Sequence, residues 1–244
     1  MRQEMRPAQG RADRDTHEGG IATAEWINLF TGRDLSGWRA RGDAHTWQVV
    51  GAVRLAADDP RVLEADPGQG VLVNTLRGRT VDLHTEMEHA SCELHVEYCV
   101  AQHSNSGVYL MGQYEIQILD SWGTPDTELR YGTNGGIYAR HNHPVTHQDY
   151  GGHAPRTNAS RRPGEWQELD VRFWAPRFDA AGNKISNARF ERVVLNGKVV
   201  HENAECQLPT GGAWHDQDVA RGPLRLQGDH GPVAFRGLRI RPLD

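Results

Sequence analysis

The segment Tyr114-Glu115-Ile116-Gln117-Ile118 alternates apolar and polar side chains with the period of two that an extended chain imposes. Tyr114, Ile116 and Ile118 therefore face one way, and Glu115 and Gln117 the other. A carboxyl beside an amide on one face can move a proton and hold a hydroxyl. The run from Cys92 to Val100 alternates in the same way, with Leu94, Val96 and Tyr98 inward and Glu93, His95 and Glu97 outward. Such polar faces are either solvated sheet surfaces or, where the sheet is concave, the lining of a groove. Several catalytic signatures are missing. Gly68-Gln69-Gly70 lacks the third glycine of a dinucleotide fingerprint, no glycine-rich loop ends in Gly-Lys-Ser/Thr, and Ser106 sits in Asn-Ser-Gly rather than in a Gly-x-Ser-x-Gly elbow. His84-Thr85-Glu86 is not followed by the Pro-Cys-x-x-Cys of a zinc deaminase. Nucleotide-dependent and serine-hydrolase chemistry are excluded on these grounds.

The elements that must hold these residues read as strands. LVNTL, CELHVEYCV, GVYL, QYEIQIL, ELDVRFW, ERVVLNGKVV, PLRLQ and VAFRGLRIR are short, rich in β-branched and aromatic residues, and bounded by Gly, Pro, Asn or Asp. Asn196-Gly197 between two apolar pairs predicts a two-residue hairpin. No window carries a helical stripe with caps. A chain of 244 residues with 27 glycines and 12 prolines, many short strands and no βαβ alternation predicts one all-β domain, residues 25–244: an antiparallel two-sheet jelly-roll sandwich. Residues 1–24 hold no apolar run and are expected to form a disordered tail. The formal charge of −5 and the lack of a basic face argue against a nucleic-acid partner, and no apolar stretch is long enough to span a membrane as a helix. Cys92, Cys99 and Cys206 are too few, and odd in number, for a disulfide framework. With no apolar leader core in the sequence as written, the expectation is a cytoplasmic protein, or an exported one if the true start lies upstream.

Trp-x-x-Leu-Phe-x-Gly-x-Asp-Leu-x-Gly-Trp at Trp26–Trp38, Trp47-Gln48-Val49, the Asn105–Asp120 run, Gly135-Gly136-Ile137-Tyr138, Pro163-Gly164-Glu165-Trp166, Leu195-Asn196-Gly197 and the ending LRLQGDHGPVAFRGLRIRPL occur in an order that resembles the 3-keto-disaccharide hydrolase domain family. The likeness runs from Trp26 to Leu243. It implies a concanavalin-like (glucanase-like) jelly roll whose concave face holds a sugar site, acting on glycosides oxidised to a ketone at C3. That ketone acidifies the C2 proton, whose removal lets the C1 substituent leave by β-elimination. One base, one acid and a carbonyl polariser then suffice, and hydration of the enone gives net hydrolysis. The implied proton-transfer candidates are Glu115, His230 in the turn Gly228-Asp229-His230-Gly231, and Asp120. For His230 the alternative is a turn residue bonding the backbone. Asp120 could equally ligate a metal, pair with Arg130 or cap its turn. Glu97, Asn105, Gln117, Tyr138 and Gln227 are the implied hydroxyl-binding residues, and Trp122 either stacks on a pyranose or belongs to the core. The small-molecule partner is a 3-keto sugar. Since no nicotinamide site is present to make the ketone, functional coupling to a sugar 3-dehydrogenase is implied.

Two other readings share this fold. A non-catalytic carbohydrate-binding module would carry the same strand motifs. His141-x-His143-x₃-His147 after Gly135 resembles the first metal motif of cupins, with His147 where glutamate is usual, and makes these three histidines candidate ligands for a divalent metal. No other cofactor is expected. The competing reading of that stretch is a polar loop interrupted by Pro144.

Overall fold

The computed structural model describes residues 24–42, 46–75 and 77–243. The tail expected over residues 1–24 therefore lies outside the described residues, apart from Ala24. In chain order the strands are β1 (Ile27–Asn28), β2 (Trp38–Ala40), β3 (Gln48–Leu55), β4 (Leu63–Val73), β5 (Leu83–His89), β6 (Cys92–Val100), β7 (Asn105–Leu110) and β8 (Tyr114–Leu119). There follow β9 (Gln167–Trp174), β10 (Arg177–Phe178), β11 (Lys184–Ser186), β12 (Ala188–Leu195), β13 (Lys198–Cys206), β14 (Gly222–Leu226) and β15 (Val233–Pro242). The only helical element among the described residues is the 3₁₀ turn Asp126–Glu128.

Two antiparallel sheets make the sandwich. The larger runs β13-β12-β9-β6-β15-β4-β3, with β1 also paired to β15, and the smaller runs β2-β5-β14-β7-β8. Their inner faces meet in one apolar core. Tyr98, Phe173, Phe190 and Phe235 come from the large sheet, and Val108, Leu110, Tyr114 and Ile116 from the small one. The rings of Tyr114 and Phe173 join the layers with centroids 5.4 Å apart. Strand parity in β6 and β8 is as the alternation demands, because all the inward residues named above are buried. The hairpin between β12 and β13 turns on Asn196 (φ 51°) and Gly197 (φ 79°), the paired left-handed conformations of a type I′ turn. All three cysteines are buried in the interior, and burial pushes the Cys99 and Cys206 thiols up to about 12.

The departures from expectation have physical causes. β5 places Thr85 and His89 on its inner face beside Leu83, so its alternation is not apolar against polar. The polar atoms are satisfied internally: Thr85 Oγ1 accepts the Leu224 N–H at 3.0 Å and donates to the Met87 carbonyl at 2.7 Å. β4 begins at Leu63, well before the run at Leu72, and passes Gly68 opposite Gly51, where an added Cβ would meet backbone at 2.9 Å. Glycine there lets two backbones approach and hides the strand from an apolar count.

Candidate active site

The small sheet carries its chemistry in one cross-strand row. Register pairs Arg39 with His84, His84 with Arg225, Arg225 with Tyr109, and Tyr109 with Glu115, so the row crosses β2, β5, β14, β7 and β8. Each of these residues is flanked along its strand by core residues such as Trp38, Leu83, Leu224, Val108 and Ile116. Parity therefore turns the whole row to the face opposite the core. One step along lies a second row, Gln227, Gly107 and Gln117, with the Gln227 N–H donating to the Gly107 carbonyl at 2.9 Å.

Loops close over the Glu115 end of this face. Gly211 donates its N–H to the Ala139 carbonyl at 2.8 Å, and the strap continues past Gly212 to Trp214. Thr210 fixes it from beneath by donating its hydroxyl to the Gln113 carbonyl at 3.1 Å and accepting the Glu115 N–H at 3.0 Å. Beneath the strap is a cavity of about 140 Å³ lined by Asn105, Tyr109, Glu115, Gln117, Tyr138, His141, Gly211, Gly212, Gln227 and His230. A larger cavity of about 420 Å³, lined among others by Arg39, His84, Trp214 and Arg221, lies on the same sheet and borders the strap at Trp214. The small cavity is the one where a carboxyl, two imidazoles and two phenols converge.

Glu115 is 3% exposed, and burial pushes its carboxyl up to about 8. The Tyr109 hydroxyl and the Arg225 guanidinium act against that rise, while Asp82 and Asp229 add to it. Its carboxyl folds over Gly107, where a Cβ would fall 2.2 Å from Oε1, so only glycine leaves the room. Burial together with the Glu115 charge pushes the Tyr109 phenol well above its ordinary range, so it is a hydrogen-bond donor throughout the working pH range. Gln117 Nε2 donates to Asn105 Oδ1 at 2.6 Å, which sets the orientation of both amides. Gln227 Oε1 is buried without a protein partner, an acceptor left for a bound group.

His230 is half-exposed, and its Nδ1 is bonded to Asp229 Oδ1. The turn that presents it is pinned by buried Asn74, whose Nδ2 donates to the carbonyls of Gly228 (3.0 Å) and Gly231 (2.7 Å) while its Oδ1 accepts the Val233 N–H at 3.0 Å. Asp82 Oδ1 accepts the Gly228 N–H at 2.9 Å. A carboxylate on Nδ1 directs the proton there and leaves Nε2 as the basic nitrogen.

Of the residues singled out in the sequence, Glu115, His230, Asn105, Gln117, Tyr138 and Gln227 are brought together. Three are not. Glu97 lies on the outer face of β6, in the other sheet, where its Oε2 accepts from Arg236 Nε at 2.7 Å. Asp120 caps its turn, accepting the N–H groups of His103 (2.8 Å) and Trp122 (3.3 Å), and does not line the cavity. Trp122 is 53% exposed, with the Arg162 guanidinium over its ring, and belongs neither to the core nor to the cavity. The three histidines also separate. His141 forms cavity wall with Nδ1 on Asp149 at 2.9 Å, His143 Nδ1 accepts the N–H groups of Val145 and Thr146, and His147 sits in a left-handed turn with φ 55°. Among the described residues no group of three His, Cys, Asp or Glu side chains converges to hold a metal ion. Sequence reasoning missed Tyr109, Arg225, Asp82 and Asn74. The first two had a legible signal, each standing between core residues with the parity of Glu115. Asp82 and Asn74 act through loop contacts that no periodicity reveals.

Comparison with known proteins agrees with this architecture. A family model described as the 3-keto-alpha-glucoside-1,2-lyase-like domain matches residues 25–241. A candidate glycosyl hydrolase of Parabacteroides distasonis is 26% identical with a TM-score of 0.61, over 89% of this chain and 84% of that one. Two further candidate glycosyl hydrolases of the same organism share the fold. One is 21% identical with a TM-score of 0.55, covering 90% of this chain and 100% of that one; the other is 19% identical with a TM-score of 0.54, covering 90% and 94%. No curated protein sequence matches the chain.

Proposed function

The chain belongs to the 3-keto-alpha-glucoside-1,2-lyase-like domain family, and from that membership we propose that it cleaves the glycosidic bond of a 3-keto-glycoside in the cavity of Glu115 and His230. The observation that carries the reading is the pairing of a buried carboxyl held near pH 8 with an Asp-oriented imidazole across one small polar cavity. The relative that is itself a candidate glycosyl hydrolase supports the broader assignment to glycoside-processing enzymes.

The chemistry follows from the two groups and their partners. At neutral pH the Glu115 carboxyl is mostly protonated and serves as the acid, and His230, held at Nδ1 by Asp229, offers Nε2 as the base. His230 takes the C2 proton, made acidic by the neighbouring C3 ketone. The electron pair of the C2–H bond forms the C1–C2 double bond as the C1–O bond breaks, and the departing oxygen takes the proton of Glu115. The phenol of Tyr138, which lines the same cavity, is the donor for the ketone oxygen as enolate charge develops, a role of the oxyanion-hole kind, while the Tyr109 hydroxyl stays on the Glu115 carboxyl. The products are the free alcohol and an enone. Water then adds its oxygen to C1 as the Glu115 carboxylate takes its proton, and His230 returns the C2 proton, which gives the 3-keto sugar, restores both residues and makes the net reaction hydrolysis. Asn105, Gln117 and Gln227 hold ring hydroxyls.

Incubation of the protein with 3-keto-glucosides tests the reading. Release of aglycone together with a transient enone absorbance is expected, and binding of the sugar without either overturns it in favour of a carbohydrate-binding role.

A further inference from the structure

Arg225 is 2% exposed and is the only cation among the buried side chains described. A structural arginine at such depth normally meets a carboxylate in a hydrogen-bonded fork. Here Nε has no acceptor, the Asp82 Oδ2 stands 3.7 Å off, and the one direct bond is from Nη2 to the Gly212 carbonyl at 2.9 Å. Its guanidinium carbon lies 3.5 Å from the centroid of the Tyr109 ring. Tyr109 is the cross-strand partner of Glu115, so the arginine faces the carboxyl from two strands away through the phenol. Holding a buried charge with its counterion standing off is costly, and groups so placed cluster at functional sites.

We propose that Arg225 is a positioning residue, which holds the Tyr109 phenol against the Glu115 carboxyl and, with Asp82 as its partly detached counter-charge, governs the ionisation of that carboxyl. The inference deepens the reaction assigned above and rests on the reading of Glu115 as the proton donor. The groups that face Glu115 are Tyr109 from β7, Arg225 from β14, Asp82 ahead of β5, Asp229 and His230 from their turn, and Tyr138 and His141 from the roof. Of these, Arg225 and Asp82 act with opposite sign: the cation favours the ionised carboxyl and the aspartate opposes it.

The test follows Glu115 itself as well as turnover. Protein labelled with ¹³C at glutamate carboxyls is titrated by NMR, the Glu115 resonance being the one lost in Glu115→Gln. The variants are Arg225→Met, Arg225→Lys and Asp82→Asn, the last retaining an oxygen for the Gly228 N–H. Arg225→Met is expected to move the Glu115 titration upward by about one pH unit or more, Asp82→Asn to move it downward, and Arg225→Lys to stay near wild type with turnover partly restored. The pH limb of kcat should move with the titration in each case. If Arg225→Met does not fold, Arg225→Gln takes its place with the same upward shift expected, and the downward Asp82→Asn shift is read beside it. A Glu115 titration that stays within about 0.3 unit of wild type in every folded variant overturns the proposal, since a charge this close must be felt. If the titration moves as stated while wild type releases no aglycone, the reaction assignment fails and the positioning role stands.

Discussion

Glu115→Gln should make the protein more resistant to alkaline unfolding while removing its proposed activity. Burial raises the Glu115 carboxyl from 4.5 to about 8 in the folded state. The native site therefore prefers the protonated acid, and this preference contributes stability fully below the unfolded value near 4.5. The contribution is lost as pH rises from there through about 8, because ionisation is easier in the unfolded chain. At 1.36 kcal/mol per pH unit, wild type loses about 1.4 kcal/mol for each unit across that window, up to a ceiling of about 5 kcal/mol. Glutamine fills the same volume beside Gly107, can still accept from Tyr109 and does not titrate. The difference in stability between variant and wild type should thus grow by about 2.7 kcal/mol between roughly pH 5.5 and 7.5, or about 5–10 °C in Tm for a chain of this size. All other titrating groups are common to both proteins and cancel in the difference. Denaturant melts at a series of pH values read this directly. Parallel stability curves for the two proteins would show that the carboxyl is hydrated or ionised in the native state, and would remove the basis for treating it as an acid at neutral pH.

Gly107→Ala places a methyl 2.2 Å from Glu115 Oε1, which the flexible carboxyl can yield to only by swinging away. The fold should survive with kcat reduced by roughly 10²-fold, and unchanged turnover would show that the observed carboxyl position is not the working one. His230→Asn should lower kcat by about 10²–10⁴ with little change in melting temperature, whereas Gln117→Ala should chiefly raise KM. Steady-state kinetics on a 3-keto-glucoside separate the two, and equal effects on kcat would refute the division of roles. Asn74→Ala removes three buried hydrogen bonds at the base of the His230 turn, so a loss of roughly 2–4 kcal/mol in denaturant melts is expected together with a fall in kcat. Full turnover in a destabilised Asn74→Ala would show that the turn is not what places His230.

The strands were legible wherever one face was apolar and the other polar, because a half-buried strand leaves a period of two that no other element produces. That suffices for β6, β8, β9, β12 and β15 and for the Asn-Gly hairpin, and with them for the sandwich. Parity also put Glu115 and Gln117 on one face, since alternation along a strand is a property of the backbone. What parity does not say is which sheet a strand joins. Glu97 and Glu115 have the same outward parity, yet β6 and β8 lie in opposite sheets, so one carboxyl meets Arg236 on the far surface while the other enters the cavity. The row from Arg39 to Glu115 joins residues up to 141 positions apart in the chain between His84 and Arg225, and only the register of β5, β14 and β7 brings them side by side. Closure was equally a matter of tertiary structure. The strap from Thr210 to Trp214, which roofs the Glu115 end of the sheet where burial lifts that carboxyl towards 8, is held by loop-to-strand hydrogen bonds with no signature in composition or spacing. Residue type and local alternation set the chemistry available, while the desolvation that tunes it is a property of everything packed around the group, which a linear sequence does not display.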